Sequence, residues 1–150
     1  MSEIIKTVKA DLGCGKNKKQ GFMGVDISAS VKPDIVYDLT KGMPFGKDTV
    51  SEVYCSHFLE HITADEVLVL MNSMPEQCLN GALIEIRVLL NFEDPAHKQV
   101  LRHDWITWLV KSIPVSLILK KYLVETVHTV SCDGRPFFYE QATIIFKVMK

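Results

Sequence analysis

The sequence has no long apolar run. Its richest stretches, such as "VSLILKKYLV", are too short and too interrupted by lysine to cross a bilayer, which takes about 20 consecutive apolar residues. The opening "MSEIIKTVKADLGCG" holds no apolar core of signal-peptide type. These absences lead to the expectation of a soluble, cytoplasmic protein with no membrane partner. Charge of one sign is scarce as well. Lys and Arg number 17 against 18 Asp and Glu, a formal net charge of -1, so no strong basic field draws in nucleic acid. The local basic spot "KNKK" at 16–19 is an exception. Cysteine is sparse and scattered: Cys14, Cys55, Cys78 and Cys132 include no C-x-x-C pair. That removes the paired spacing of a cysteine zinc site, and free thiols in a reducing compartment fit better than two disulfides. Repeats, low-complexity segments and linkers are missing, so the 150 residues read as a single domain, 1–150.

What is present is a ladder of short apolar runs, each closed by a polar residue or glycine. "TVKADL" (7–12), "FMGVDI" (22–27), "DIVYDL" (34–39), "VSEVYCS" (50–56) and "GALIEIRVLL" (81–90) read as successive strands. "LVETVHTVS" (123–131) and "QATIIFKVM" (141–149) follow, joined by "CDGRPFFYE" with its Asp-Gly turn signal. Thr63 followed by Glu66 is a capping box for a helix "ADEVLVLMNSM". Its buried face is expected from Val67, Leu68, Leu70 and Met71, and Pro75 is expected to end or bend it. Asp104 reads as the N-cap of "WITWLVKSI", which stops before Pro114. Alternating strands and helices predict an α/β fold with a mainly parallel sheet, and the terminal hairpin predicts an antiparallel last strand. Only "KNKKQ" separates Gly15 from Gly21, too little for a helical crossover. The first crossover is therefore expected to be a loop, with Lys18 and Lys19 exposed.

Two stretches carry chemistry. "ADLGCG" is a strand running into a G-x-G turn, where Gly13 and Gly15 permit a tight bend and close approach of a ligand. The spacing matches no P-loop, and Lys18 stands where a third dinucleotide-type glycine would be. Asp11, Asp26 and Asp38 close three successive strands, and in an open parallel sheet such ends share one crevice. Carboxylates there suit a ligand with an amino group, a ribose and an adenine, and would repel a pyrophosphate. The second stretch, "SHFLEH" (56–61), spells H-x-x-E-H, a zinc-hydrolase pattern if it lies on one helix. The strand before it and the helix signal only at Thr63 put His57 at a strand end instead, which removes that geometry. Trp105, Trp108, Met71 and Met74 read most simply as core.

"ADLGCG", "GVDIS", "VYDLTKGMPF", "VSEVYCSHFLEHI", "GALIEIRV" and "DPAH" (94–97) stand in an order that resembles the class I S-adenosylmethionine-dependent methyltransferases. The likeness is greatest to the small type 11 group and covers roughly residues 9 to 110. It implies a Rossmann-like three-layer sandwich with a seven-stranded, mostly parallel sheet, antiparallel last strand, and here a first crossover helix nearly absent. It implies S-adenosyl-L-methionine as cofactor, with Asp11, Gly13, Cys14 and Gly15 around its methionine part. Asp26 would bind the ribose with Ile27 against the adenine, and Asp38 and Leu39 would border the adenine. Ser56 and His57 would line the substrate side, where a neutral imidazole can take a proton from an attacking hydroxyl or amine. Without a crossover helix to supply a dipole, a lysine of "KNKK" is expected to face the cofactor carboxylate.

The expected activity is methyl transfer to a small-molecule, sugar-like (glycan-like) or carrier-bound acceptor. Only about ten residues precede the glycine turn, so the acceptor pocket is expected from residues 91–122 or from the second copy of a homodimer. His97 and Asp94 are expected to order a lid loop. Three rivals stand beside this reading. A dehydrogenase shares the G-x-G turn but not its third glycine or the terminal hairpin. A non-catalytic cofactor-binding module would keep the crevice alone. A metal-assisted O-methyltransferase would use Glu60 and His61 with His97 or His103, as relatives carrying E-x-x-E-H do; the favoured reading assigns no metal ligand.

Overall fold

The computed structural model describes residues 6–92 and 95–150; Asp94 lies outside them. Seven strands form one sheet in the order β3-β2-β1-β4-β5-β7-β6. The first five strands are β1 (Val8–Leu12), β2 (Met23–Asp26), β3 (Ile35–Val36), β4 (Val50–Ser56) and β5 (Cys78–Leu90), and they pair in parallel. β7 (Pro136–Val148) runs antiparallel between β5 and β6 (Leu117–Val130).

Alternation along the strands decides the layers. Ala10, Leu12, Val53, Cys55, Ile84 and Ile86 are buried to 1 % or less and meet the helices α1 (Ala64–Gln77) and α2 (His103–Ser112). α1 contributes Val67, Leu70, Met71 and Met74 at helical spacing, with Leu68 only half-buried. α2 contributes Trp105, Ile106 and Leu109, while Trp108 packs on the core edge. The intervening residues of β1, β4 and β5 form the opposite face. There Lys9 pairs with Glu52 at 3.3 Å and Arg87 with Glu85 at 2.8 Å. No helix covers that face at the first crossover; residues 13–22 run in turns and bends, as the Gly15–Gly21 spacing predicts. Phe22 lies against Tyr54 instead, and the Lys19 ammonium sits 4.2 Å from the Tyr54 ring centre and 4.7 Å from that of Phe22. Lys19 is thus half-buried rather than exposed, whereas Lys18 is exposed and pairs with Asp34 at 2.7 Å.

Local expectations hold with instructive exceptions. The Thr63–Glu66 capping box is made in both directions. Pro75 does not end α1, which continues to Gln77; in the last turn a missing N–H removes only one ladder bond. Asp104 is not the cap of α2, since Arg102 holds that position without a side-chain bond, and Asp104 sits in the first turn where its charge suits the helix dipole. β5 starts at Cys78, ahead of Gly81, because a register shift at the positive-φ Gly81 lets the strand resume. β6 starts at Leu117 and takes in Lys120 and Lys121 at the open edge of the sheet, where side chains on both faces are exposed. All four cysteines are free. Among the described residues no helix is long and apolar enough to cross a membrane.

Candidate functional site

The glycine turn folds back on β2. The N–H groups of Gly13 and Cys14 both donate to the Val25 carbonyl, at 2.8 and 3.2 Å. Gly13 and Gly15 have φ of +68° and +54°, the left-handed region that glycine enters without strain. The Gly15 N–H donates to Asp26 Oδ2 at 3.0 Å, and the Ser28 N–H donates to Asp26 Oδ1 at 2.9 Å. A carboxylate oxygen accepts two bonds, so each oxygen of Asp26 keeps one lone pair for a ligand. At Asp38, Oδ1 takes both the N–H and the hydroxyl of Thr40, at 3.0 and 2.6 Å. Those donors, the hydroxyl foremost, hold its carboxyl below the ordinary range, and both bonds fall on Oδ1.

The predicted residues gather into two cavities at the carboxyl ends of the strands. A cavity of about 230 Å³ brings together Asp26, Ile27, Asp38 and Leu39. Ile27 is 67 % exposed there, an apolar side chain presented beside two acceptors. Tyr37, Thr40, Phe58, His61, Ile62 and Lys98 complete its walls; Tyr37 and Phe58 lie within the sequence motifs with no role assigned to them, and Lys98 lies outside every motif. A second cavity of about 330 Å³ brings together Asp11, Gly13, Cys14, Ser56 and His57, with Tyr54 and Asn17. Gly15 lines neither cavity, but its bond to Asp26 joins the turn of the second to the floor of the first. Phe58 touches the Gly13 position and so separates the two.

Asp11 is only 3 % exposed, and its Oδ2 accepts the Lys19 N–H at 2.8 Å. Burial dominates and raises its carboxyl above 3.8, against the lowering by Lys19 and Lys18 and with a further push from Asp26. Burial likewise raises the Cys14 thiol, helped by Asp11 and Asp26, which argues against a thiolate there. A raised carboxylate gives a sign to pH dependence. Between 3.8 and its folded value the native state holds the proton that the unfolded chain has lost, so stability falls as pH rises through that window. Asp11→Asn should therefore melt higher than wild type at neutral pH and equally well in acid below 3.8. Thermal melts across that range check it, and an Asn variant less stable at neutral pH would refute it.

His57 follows β4 directly, with φ of +54°, and its N–H donates to the Arg87 carbonyl at 2.8 Å. Its ring leaves the motif "SHFLEH" and turns toward β7: Nε2 lies 2.7 Å from Gln141 Oε1, and Tyr139 stands edge-on at 6.1 Å. The ring thus meets the β6–β7 hairpin, while none of the residues lining its cavity comes from the expected 91–122 stretch. Glu60 and His61 do something different. Leu59–His61 form one 3-10 turn, with Leu59 in the core. Glu60 is buried, and its Oε1 accepts the Leu89 N–H at 2.6 Å, where β5 has outrun β4. The Glu60 carbonyl accepts the Lys98 N–H at 2.9 Å, and His61 Nδ1 bonds the Ala96 carbonyl at 3.1 Å. These residues brace the segment 95–99, and His97 stacks edge-on against His61. Among the described residues no group of three or more His, Cys, Asp or Glu is placed to hold a metal ion.

No protein-family model matches the sequence, and no curated protein matches it. Solved structures do match in shape. An S-adenosylmethionine-dependent methyltransferase from Methanosarcina mazei superposes with a TM-score of 0.71 at 11% identity, covering 98% of this chain and 95% of that one. One from Archaeoglobus fulgidus gives 0.67 at 16%, covering 95% and 86%. Geranyl diphosphate C-methyltransferase from Streptomyces coelicolor A3(2), solved with Mg2+, geranyl diphosphate and S-adenosyl-L-homocysteine, gives 0.63 at 12%, covering 97% and 76%. The strand order and the antiparallel seventh strand are theirs as well. This chain has the fold of the class I S-adenosylmethionine-dependent methyltransferases.

Proposed function

We propose that this protein binds S-adenosyl-L-methionine across its two cavities and transfers a methyl group to a small-molecule, sugar-like or carrier-bound acceptor. The observation that carries this is the pairing of acceptor-rich strand ends with a glycine turn that leaves room. A Cβ built on Gly15 would meet nothing within 4 Å, so the turn presents open space and backbone next to Asp26. Asp26 and Asp38 offer free lone pairs, which suits ribose hydroxyls and an adenine amine. Exposed Ile27 gives an adenine ring an apolar face. The cofactor supplies an activated methyl group on a sulfonium. The chain supplies position: Asp26 and Asp38 hold the nucleoside, the 13–15 turn and Asp11 flank the amino-acid part, and Ser56 and His57 border the acceptor. Lys19, held against Tyr54 beside the second cavity, is the cation of "KNKK" set to face a carboxylate; Lys18 is engaged by Asp34.

Calorimetric titration with S-adenosylmethionine and S-adenosylhomocysteine tests the reading, with NADH as the control for the dehydrogenase rival. Micromolar binding of the first two and none of NADH is expected. If neither of the first two binds, the reading fails. Methyl transfer that disappears with chelator and returns with a divalent ion would favour the metal-assisted rival. A cofactor-binding chain with no turnover on any acceptor class would favour the non-catalytic one.

A further inference from the structure

His57 is anchored by a chain of hydrogen bonds that has only one consistent direction. Glu125 on β6 faces Gln141 on β7 in register, and Gln141 Nε2 lies 3.4 Å from Glu125 Oε1. A carboxylate can only accept, so the amide must turn its NH2 toward Glu125. That leaves Gln141 Oε1 toward His57 at 2.7 Å, and an amide oxygen can only accept from Nε2. The reversed amide would set two oxygens against each other at Glu125 and is excluded by the same reasoning. Gln141 is 6 % exposed, so its orientation has little water to offset an error. His57 Nδ1 has no hydrogen-bond partner among the described residues.

We propose that Gln141 and Glu125 are positioning residues that hold neutral His57 as its Nε2–H tautomer and leave Nδ1 as the lone pair that takes the acceptor's proton. This rests on the methyl-transfer reading for its catalytic meaning. In that step the acceptor's O–H or N–H bond breaks and its electron pair stays on the heteroatom as nucleophile. With the cofactor bound, that pair would bond the methyl carbon as the methyl–sulfur bond breaks and its electrons go to sulfur, while the proton bonds Nδ1, so that the positive charge first on the sulfonium ends on the imidazolium. The other charged or titratable groups around the ring are Arg87 on β5, Tyr139 on β7, Tyr54 on β4, and Asp11 and Cys14 at the turn. None of them has a hydrogen bond to the ring. The sequence holds Gln141 and Glu125 in strands read only for their apolar pattern, and 84 positions separate Gln141 from His57.

Imidazole nitrogen-15 spectra of the full chain test this without any cofactor, with His57→Gln identifying the signal. Wild type should show one neutral tautomer with the proton on Nε2. Glu125→Gln changes an exposed side chain with no change in shape, and its amide can donate as well as accept. It frees Gln141 to turn, and the His57 pattern should move to an average of both tautomers. Gln141→Leu should do the same, and its fold is checked by the remaining backbone spectrum. A wild-type ring protonated on Nδ1, or a pattern that Glu125→Gln leaves unmoved, overturns the proposal. Failure of the cofactor titration would remove the methyl-transfer reading and leave these spectra as they are, so the two failures are told apart.

Discussion

Asp26→Ala should weaken S-adenosylmethionine binding by on the order of a hundredfold, while lowering stability far less. The two effects separate because the carboxylate has two jobs. Toward the protein it accepts the Gly15 and Ser28 N–H groups. Asp26 is only half-buried, so water can replace the carboxylate at those donors at a cost of about 1 kcal/mol. Toward a ligand it offers two charged acceptors to vicinal hydroxyls, each bond contributing about 1.5–3 kcal/mol. Losing both removes about 3–6 kcal/mol, of which water entering the space returns part, so a loss of about 2.7 kcal/mol, a hundredfold in Kd, is the lower bound expected. Calorimetry and thermal melts on the same variant give both quantities. Equal binding by wild type and Asp26→Ala would remove the ribose assignment. A loss of binding no larger than the loss of stability would make Asp26 a turn anchor and nothing more.

How far the sequence leads can be seen at particular residues. The ends of β2 and β4 were legible because Asp26 and Ser56 each follow an apolar run directly, whereas β3 stops at Val36 and Asp38 caps the turn beyond it; the crossover loop was legible because five residues cannot make a helical return. The start of β6 was not. At an open edge Lys120 and Lys121 are solvated whichever way they point, so no alternation betrays the strand. The same holds for the cap of α2: Arg102 caps by backbone alone, and only a side-chain cap leaves a mark in composition. In the site, neighbours along the chain were found and neighbours across it were not. Lys98 reaches the cavity of Asp26 and Asp38, and Gln141 the ring of His57, only after the sheet closes. "SHFLEH" shows both cases. Its placement after a strand sets Ser56 and His57 apart from the Leu59–His61 turn, but nothing in six letters says that Glu60 serves Leu89 or that His57 answers to β7.

The two glycines of the turn should fail in different ways when changed to alanine. At Gly13, φ is +68°, and a new Cβ would lie 2.5, 2.6 and 2.8 Å from Cδ2, Cγ and Cβ of Phe58. The left-handed backbone costs alanine about 1 kcal/mol. The clash reaches the Cβ of Phe58, which swings with the backbone and not with the ring, so overpacking adds about 1–3 kcal/mol. Gly13→Ala should therefore lose about 3 kcal/mol of stability. Combined with Phe58→Ala it should cost at least about 1 kcal/mol less than the sum of the two changes, since the double variant has no clash to relieve. At Gly15 the backbone cost is similar, with φ of +54°, but the new methyl meets no atom within 4 Å. Gly15→Ala should stay folded and lose cofactor affinity instead, because its methyl enters the space where the ligand would lie against Asp26. Denaturant melts and titrations on the four variants, Phe58→Ala included, decide it. Equal destabilisation at 13 and 15, or unchanged affinity in Gly15→Ala, would mean that the open side of this turn is not where the cofactor binds.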